Sequence, residues 1–243
     1  MADSAKRAEK ALARLMALHP KLIDLGLERS FALLQKLGDP HLRLPPTIHV
    51  AGTNGKGSVI AFLRALAEGA GSTAHVYSSP HLCRFNERIR LAGRLIDDAT
   101  LADLLEEVET INGPQQVTFF EVTTAAAMLA FSRHPADLLL LETGLGGRVD
   151  ASNVIDKPAA TVITPVSLDH QGFLGDTIAK IAFEKAHILK ANTPLILGPQ
   201  PQDATQIIQL IAQDQGAKIT KYDQDFSIEI NEDESFNFKN SLT

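Results

Sequence analysis

The chain has 243 residues, of which 44% are hydrophobic and 21% are charged, a composition typical of a folded protein. Its formal net charge of −6 argues against a general nucleic-acid-binding protein but leaves open a local basic pocket for phosphate or an acidic substrate. The single cysteine, Cys83, excludes an intramolecular disulfide, and no long apolar segment indicates a secretory signal or a membrane anchor. We therefore expect a cytoplasmic monomer that binds neither nucleic acid nor membrane.

The N-terminal segment has the apolar periodicity of a helix at Ala11, Leu12, Leu15, Met16 and Leu22. Beyond it, short apolar segments alternate with longer amphipathic ones, which is the pattern of βαβ units. We predict an α/β fold with a mostly parallel sheet flanked by helices. The predicted strands are residues 47–51, 74–78, 137–142, 160–164 and 194–197, and the predicted helices are 58–68, 101–110, 123–132, 177–190 and 203–213.

The C-terminal segment has a different pattern. Residues 226–230 and 235–239 alternate around a polar turn, which predicts a small antiparallel hairpin. There is no internal repeat and no low-complexity linker. We expect one domain over residues 1–243, with a core at about 18–198 and a peripheral helix and hairpin at 199–243.

Polar and glycine-rich segments follow the predicted strands. The segment 52–58 follows the first strand, Ser79 the second, 142–150 the third, and Asp169 with His170 the fourth. Ligands of parallel α/β sheets bind beyond the carboxyl ends of the strands. We therefore predict that these segments line one site.

Residues 52–58, GTNGKGS, connect a strand to a helix and resemble a phosphate loop. Glycines let backbone N–H groups approach phosphate, Lys56 supplies positive charge, and the Ser58 hydroxyl can reach Mg²⁺. The spacing differs from the standard G-x-x-x-x-G-K-[ST], because fewer residues separate the glycines and Gly57 follows the lysine. A tight strand-to-helix turn with a solvated lysine is the alternative interpretation.

A second glycine-rich loop follows the predicted strand that ends at Glu142. A carboxylate at this position suits a Mg²⁺ ion that bridges phosphate oxygens, although a solvated loop glutamate is the alternative. Together, GTNGKGS and LLETGLGGRVDASNVI (140–155) resemble the paired signatures of folylpolyglutamate synthases, in the Mur ligase superfamily. Five further segments agree with this family's pattern, so that the resemblance runs from about 18 to 198. They are IDLGLER (23–29), YSSPHL (77–82), RFNER (84–88), SLDH (167–170) and EKA (184–186).

The resemblance implies an ATP-dependent carbon–nitrogen ligase that uses two Mg²⁺ ions. Such an enzyme adds L-glutamate to dihydropteroate or to the glutamate tail of a folate through an acyl phosphate. The implied catalytic residues are Lys56, Glu142, His170 and a carbamylated Lys185. The implied ATP contacts are Thr53, Asn54, Gly55, Lys56, Gly57 and Ser58. The implied metal ligands are Ser58, Ser79, Glu142, His170 and Lys185. The implied substrate contacts are Asp24, Leu25, Gly26, Leu27, Thr118, Phe119, Phe120, Glu121, Val149, Asp150 and Ala151.

Lys185 falls within an apolar helical face. A buried ammonium without a partner is costly, so Lys185 should snorkel, pair with a carboxylate or be chemically modified. The resemblance implies modification by CO₂ to a carbamate that binds a second Mg²⁺. The apolar face comprises Ile178, Ile181, Ala182, Ile188 and Leu189.

Other side chains have two interpretations each. His170, taken alone, is a loop histidine, and the resemblance makes it a metal ligand. Phe119 and Phe120 either stack on a flat pterin or belong to the core. We interpret Cys83 as a small buried residue.

Family members continue into a C-terminal domain that this chain lacks, so we expect catalysis by these residues to be incomplete. The alternatives are a Mur-type peptidoglycan ligase and a non-catalytic nucleotide-binding module.

Overall fold

The computed structural model describes residues 2–17 and 23–241, and it confirms the predicted α/β architecture. Leu22, which we assigned to the N-terminal periodicity, lies outside the described residues. The helices are α1 (Ala2–Met16), α2 (Glu28–Lys36), α3 (Lys56–Gly69), α4 (Asp98–Asn112), α5 (Phe119–Arg133), α6 (Gln171–Leu174), α7 (Ile178–Ala186) and α8 (Gln202–Asp214). The strands are β1 (Thr47–Ala51), β2 (Ala74–Tyr77), β3 (Ile89–Leu91), β4 (Arg94–Leu95), β5 (Leu138–Glu142), β6 (Ala160–Ile163), β7 (Leu195–Leu197), β8 (Ile219–Lys221), β9 (Phe226–Ile230) and β10 (Phe236–Asn240).

Eight strands form one sheet in the order β4-β3-β2-β5-β1-β6-β7-β8. The pairs from β2 to β8 are parallel, whereas β3 and β4 add an antiparallel hairpin beside β2. Helices cover both faces, because Leu139 and Leu141 of β5 belong to the core cluster with α4 and α5, and Leu140 belongs to the cluster with α3. A strand buried on both faces is continuously apolar, as β5 is. The carboxyl ends of β2, β5, β1 and β6 therefore lie side by side.

The main differences from the predicted elements occur at helix ends. Helix α5 begins at Phe119 instead of residue 123, because Thr118 and Glu121 form a capping box. Helix α7 ends at Ala186 instead of residue 190. Helices α2 and α6, the hairpin β3–β4 and strand β8 were not predicted, since short elements carry little periodicity.

Residues 199–221 belong to the main body, which differs from the predicted peripheral position. Helix α8 buries Ala204, Ile208 and Ala212 in the same core cluster as α7, and β8 extends the main sheet beside β7. Strands β9 and β10 form a separate antiparallel pair, which confirms the predicted hairpin. Across the described ranges, no helix combines the length and the apolar character needed to cross a bilayer.

Candidate nucleotide and substrate site

The phosphate loop occupies the turn between β1 and α3. Gly52 has φ +141°, and a Cβ placed there would lie 1.8 Å from Thr164 Oγ1, so the close approach of β6 requires glycine. The backbone N–H groups of Thr53 and Asn54 both donate to Pro165 O, at 3.0 and 3.3 Å. The loop is thereby fixed to the end of β6 and leads into the N-terminus of α3, which favours an anion.

Lys56 lies at the first turn of α3, because the helix begins two residues earlier than predicted. Its Nζ is 3.4 Å from Thr53 O and 3.9 Å from Glu142 Oε1. Gly57 and Ser58 are exposed in the same turn. The predicted phosphate-binding cation and hydroxyl thus share the open end of one helix.

Glu142 ends β5 and is 4% exposed. Its Oε2 accepts a hydrogen bond of 3.2 Å from Ser79 N, and the contact with Lys56 is long. Burial raises the pKa of this carboxyl group, so the carboxylate is incompletely compensated by its protein neighbours. A buried carboxylate in the same groove as Ser79 fits the oxygen ligands that Mg²⁺ prefers.

The other predicted metal ligands lie at the same sheet edge. His170 has φ 48° before α6, and its half-exposed ring places Nε2 3.6 Å from Asp169 Oδ2. Lys185 is buried, and its Nζ donates a 2.9 Å hydrogen bond to Gly52 O. Burial, aided by the charge of Lys56, lowers the pKa of Lys185 to about 8. Within the described residues, no group of three or more His, Cys, Asp or Glu side chains forms a ready metal site.

A cavity of about 360 Å³ opens beside this edge. Leu27 and Phe119 do not line it. Leu27 precedes α2 and packs against the core, and Phe119 packs edge-on against Phe85 with ring centroids 5.9 Å apart. The predicted substrate residues that line the cavity are Asp24, Leu25, Gly26, Thr118, Phe120, Glu121, Val149, Asp150 and Ala151. The lining residues that were not predicted as substrate contacts are Ile23, Ser79, Pro80, Arg88, Gly144, Leu145 and His170.

An ion-pair cluster holds one wall of the cavity. Arg29 lies 3.0 Å from Asp24 Oδ2 and 3.0 Å from Oε1 of the buried Glu121. Glu121 also accepts a 2.7 Å hydrogen bond from Thr118 N. Arg29 thus joins the segment before α2 to the start of α5.

A second wall consists of Phe120 against the glycine-rich loop. A Cβ at Gly144 would lie 2.3 Å from Phe120 Cζ, so the ring contacts the bare backbone. Of the two interpretations for the phenylalanines, Phe120 is a cavity wall and Phe119 is a core residue.

A buried polar network supports the same loop. Asp150 accepts hydrogen bonds from Leu145 N at 2.8 Å and from the Ser152 hydroxyl, and burial raises the pKa of this carboxyl group. Ser152 Oγ lies 3.1 Å from His49 Nε2. Burial lowers the pKa of His49 to about 3, so this histidine is neutral. Its position inside an apolar strand gave no sequence signal for this role.

The interpretation of Cys83 as buried is wrong. Its thiol is exposed, because the segment after Pro80 forms a surface loop. The carboxylate of Glu87 holds this loop by accepting backbone hydrogen bonds from Leu82, Cys83 and Arg84.

A parallel sheet with a glycine-rich loop at the end of β1 and an acidic residue at the end of the neighbouring β5 defines a nucleotide-binding domain of the phosphate-loop class. The family described as "Mur ligase middle domain" matches residues 50–241. The chain therefore belongs to the Mur ligase family.

Its relatives specify the branch of that family. The dihydrofolate synthase/folylpolyglutamate synthase of Escherichia coli (strain K12) is 39% identical over 211 residues, which are 86% of this chain and 49% of that protein. The enzyme of the same name from Bacillus subtilis (strain 168) is 42% identical over 190 residues, 75% of this chain and 44% of that protein. The chain spans about half the length of these relatives.

Solved structures agree with this placement. The structure of E. coli FolC in complex with DHPP and ADP has a TM-score of 0.89 and 35% identity, over 96% of this chain and 55% of that chain. A bifunctional folylpolyglutamate synthase/dihydrofolate synthase with Mn, AMPPNP and L-glutamate bound has a TM-score of 0.86 and 33% identity, over 97% and 56% of the two chains. The resemblance to folylpolyglutamate synthases is confirmed.

Proposed function

We propose that the chain is the ATP-binding part of a ligase that adds L-glutamate to dihydropteroate or to the glutamate tail of a folate. One observation carries this proposal: Ser79 and Pro80 line both the cavity and the groove of the phosphate loop. A carboxylate held in the cavity and a γ-phosphate held by the loop would therefore meet at the end of β2. That arrangement suits transfer of a phosphoryl group from ATP to a carboxylate.

In the proposed reaction, a carboxylate oxygen attacks the γ-phosphorus while the bond to ADP breaks, giving an acyl phosphate. The amine of glutamate then attacks the acyl carbon, phosphate leaves, and the amine loses a proton. Lys56 and the N-terminus of α3 stabilise the negative charge of the phosphoryl group in transit, which is the main catalytic demand of such transfers. The loop at 53–57, which the N–H groups of Thr53 and Asn54 fix to the end of β6, orients the phosphates.

Two Mg²⁺ ions would be held by Ser58, Ser79, Glu142, His170 and a carbamylated Lys185. When bound, these ions would further neutralise the negative charge of the phosphoryl group. The environment of Lys185 supports the carbamate. An amine with a pKa of about 8 is partly neutral near physiological pH, and only the neutral amine attacks CO₂. The new N–C bond forms with release of one proton, which converts a buried cation into a carboxylate-like ligand.

The cavity suits a flat heterocycle with N–H donors. Phe120 offers a ring face, and the carboxylates of Asp24, Glu121 and Asp150 lie in the lining as hydrogen-bond acceptors. A pterin combines these two features. These groups therefore support a folate-type substrate.

The test combines the purified chain with ATP, Mg²⁺, dihydropteroate and L-glutamate and measures phosphate release. Release that requires both dihydropteroate and glutamate supports the ligase. Lys56→Met should abolish it, whereas Lys157→Met, at an exposed lysine, should not. ATP binding without turnover would instead favour a nucleotide-binding module, and turnover on a peptidoglycan precursor would favour a Mur-type ligase of the cell wall.

A further inference from the structure

Arg88 lines the cavity, although no sequence motif predicted a role for it. It ends the 3₁₀ turn Phe85–Arg88, immediately before β3. Its backbone oxygen accepts a 3.0 Å hydrogen bond from Ser78 N, so Arg88 lies across the β2–β3 ladder from the residue that precedes Ser79. Arg88 is therefore at the end of the cavity that adjoins the phosphate loop.

Two neighbouring rings hold the side chain of Arg88. Its Nε donates a 2.9 Å hydrogen bond to His81 Nδ1, which requires that nitrogen to be unprotonated. The Phe85 ring centroid lies 5.2 Å from the guanidinium carbon, within the range of a cation–π contact. The guanidinium is thus fixed in orientation, while most of its five N–H donors remain available.

The charge of Arg88 has no carboxylate partner among the described residues. Within the described part of the chain, no carboxylate forms an ion pair with it, and its side-chain hydrogen bond goes to the uncharged nitrogen of His81. Partial burial lowers the pKa of this guanidinium, because removing a cation from water is unfavourable. By contrast, Arg29 of α2 is paired with two carboxylates. An oriented, partly desolvated cation facing a cavity favours an anionic ligand.

We infer that Arg88 binds the carboxylate of the substrate in this cavity, the group that accepts the phosphoryl group, with His81 and Phe85 as its positioning residues. This inference rests on the proposed function and adds to it the residue that orients the reacting end of the substrate. A guanidinium matches a carboxylate with two parallel hydrogen bonds. Held in this way beside Ser79, the carboxylate would point to the phosphate loop while the heterocycle contacts Phe120.

The test compares two ligands of similar shape, of which only one carries the negative charge. Pteroate carries the carboxylate, and pteroamide replaces it with a neutral amide of similar shape. Their affinities are measured by titration calorimetry for the wild-type chain, for Arg88→Met and for the control Arg94→Met, which removes an exposed arginine of β4. We expect Arg88→Met to weaken pteroate binding about 10- to 100-fold, the usual effect of losing a hydrogen-bonded charged partner, and to leave pteroamide binding and the control unchanged.

Arg88→Lys keeps the charge but not the planar fork, so its affinity for pteroate should fall between those of the wild type and Arg88→Met. Equal losses for both ligands in Arg88→Met would show a purely structural role and overturn the inference. Unchanged pteroate affinity, or equal affinity of the wild type for both ligands, would overturn it as well. If the wild type binds neither ligand, the proposed folate-type substrate fails first, and the inference fails with it.

Discussion

Replacing Gly144 with alanine should deform the substrate cavity by displacing one ring. The new Cβ would lie 2.3 Å from Phe120 Cζ and 2.8 and 2.9 Å from two further ring carbons, whereas carbon atoms pack at about 3.5–4.0 Å. The ring must therefore move by roughly 1 Å or more. Tyr77 is fully buried behind it, with ring centroids 6.1 Å apart, so the open direction is the cavity itself.

Overpacking of this kind costs about 1–3 kcal/mol, which urea unfolding of the Gly144→Ala protein should detect as a lower midpoint. Pteroate affinity should fall in the same protein, because the displaced ring occupies ligand space. Gly69→Ala is the matched control: nothing lies within 4 Å of its Cβ position in α3, and alanine there should be neutral or stabilising by up to about 1 kcal/mol. Adding Phe120→Ala to Gly144→Ala should relieve the clash, so that the two effects are not additive. A Gly144→Ala protein with wild-type stability and affinity would refute this reasoning.

Three further predictions concern buried groups. His49 is neutral in the folded chain with a pKa of about 3 against its ordinary 6.5, so the unfolded chain binds the extra proton and stability should decrease as the pH falls below about 6.5. The loss between pH 7 and pH 5 is about 2 kcal/mol, and His49→Gln, followed by urea unfolding at both pH values, should remove this part of the pH dependence. With ¹³C-bicarbonate, a carbamate NMR signal should grow as the pH rises through about 8 and be absent in Lys185→Arg; its absence from the wild type would reject the carbamate. Gly52→Ala should abolish ATP binding in an equilibrium assay, since the Cβ would overlap Thr164 Oγ1; retained binding would contradict the assigned loop geometry.

The architecture and the edge that carries the site were predictable from local patterns. Apolar runs such as 138–141 can only be strands buried on both faces or parts of buried helices, and their alternation with amphipathic segments selects the parallel sheet. In such a sheet, residues that follow strands meet in space although they are distant in sequence. The proximity of Glu142 to Lys56 and Ser79 needed no more than this rule.

The details of the cavity depended on tertiary contacts that periodicity does not encode. Phe119 and Phe120 are adjacent in sequence, and their different roles arise because α5 begins at the Thr118 cap and turns one ring towards Phe85 and the other towards Gly144. The role of Arg88 depends on a hairpin too short to predict. Cys83 is exposed because it lies in a surface loop that is held by backbone hydrogen bonds to the carboxylate of Glu87.

The site is held by hydrogen bonds that join the ends of different strands and helix α7. The loop after β1 is hydrogen-bonded to Pro165 O, beyond the end of β6. Glu142, at the end of β5, accepts a hydrogen bond from Ser79 N, beyond the end of β2. Lys185 of α7 donates a hydrogen bond to Gly52 O of the phosphate loop. Ser79, Glu142 and Lys185 take part in these bonds and are also proposed metal ligands, so positioning and function would be coupled. Modification of Lys185 would leave Nζ with a single N–H donor for Gly52 O, and the geometry of the phosphate loop would then depend on the same group that is proposed to bind metal.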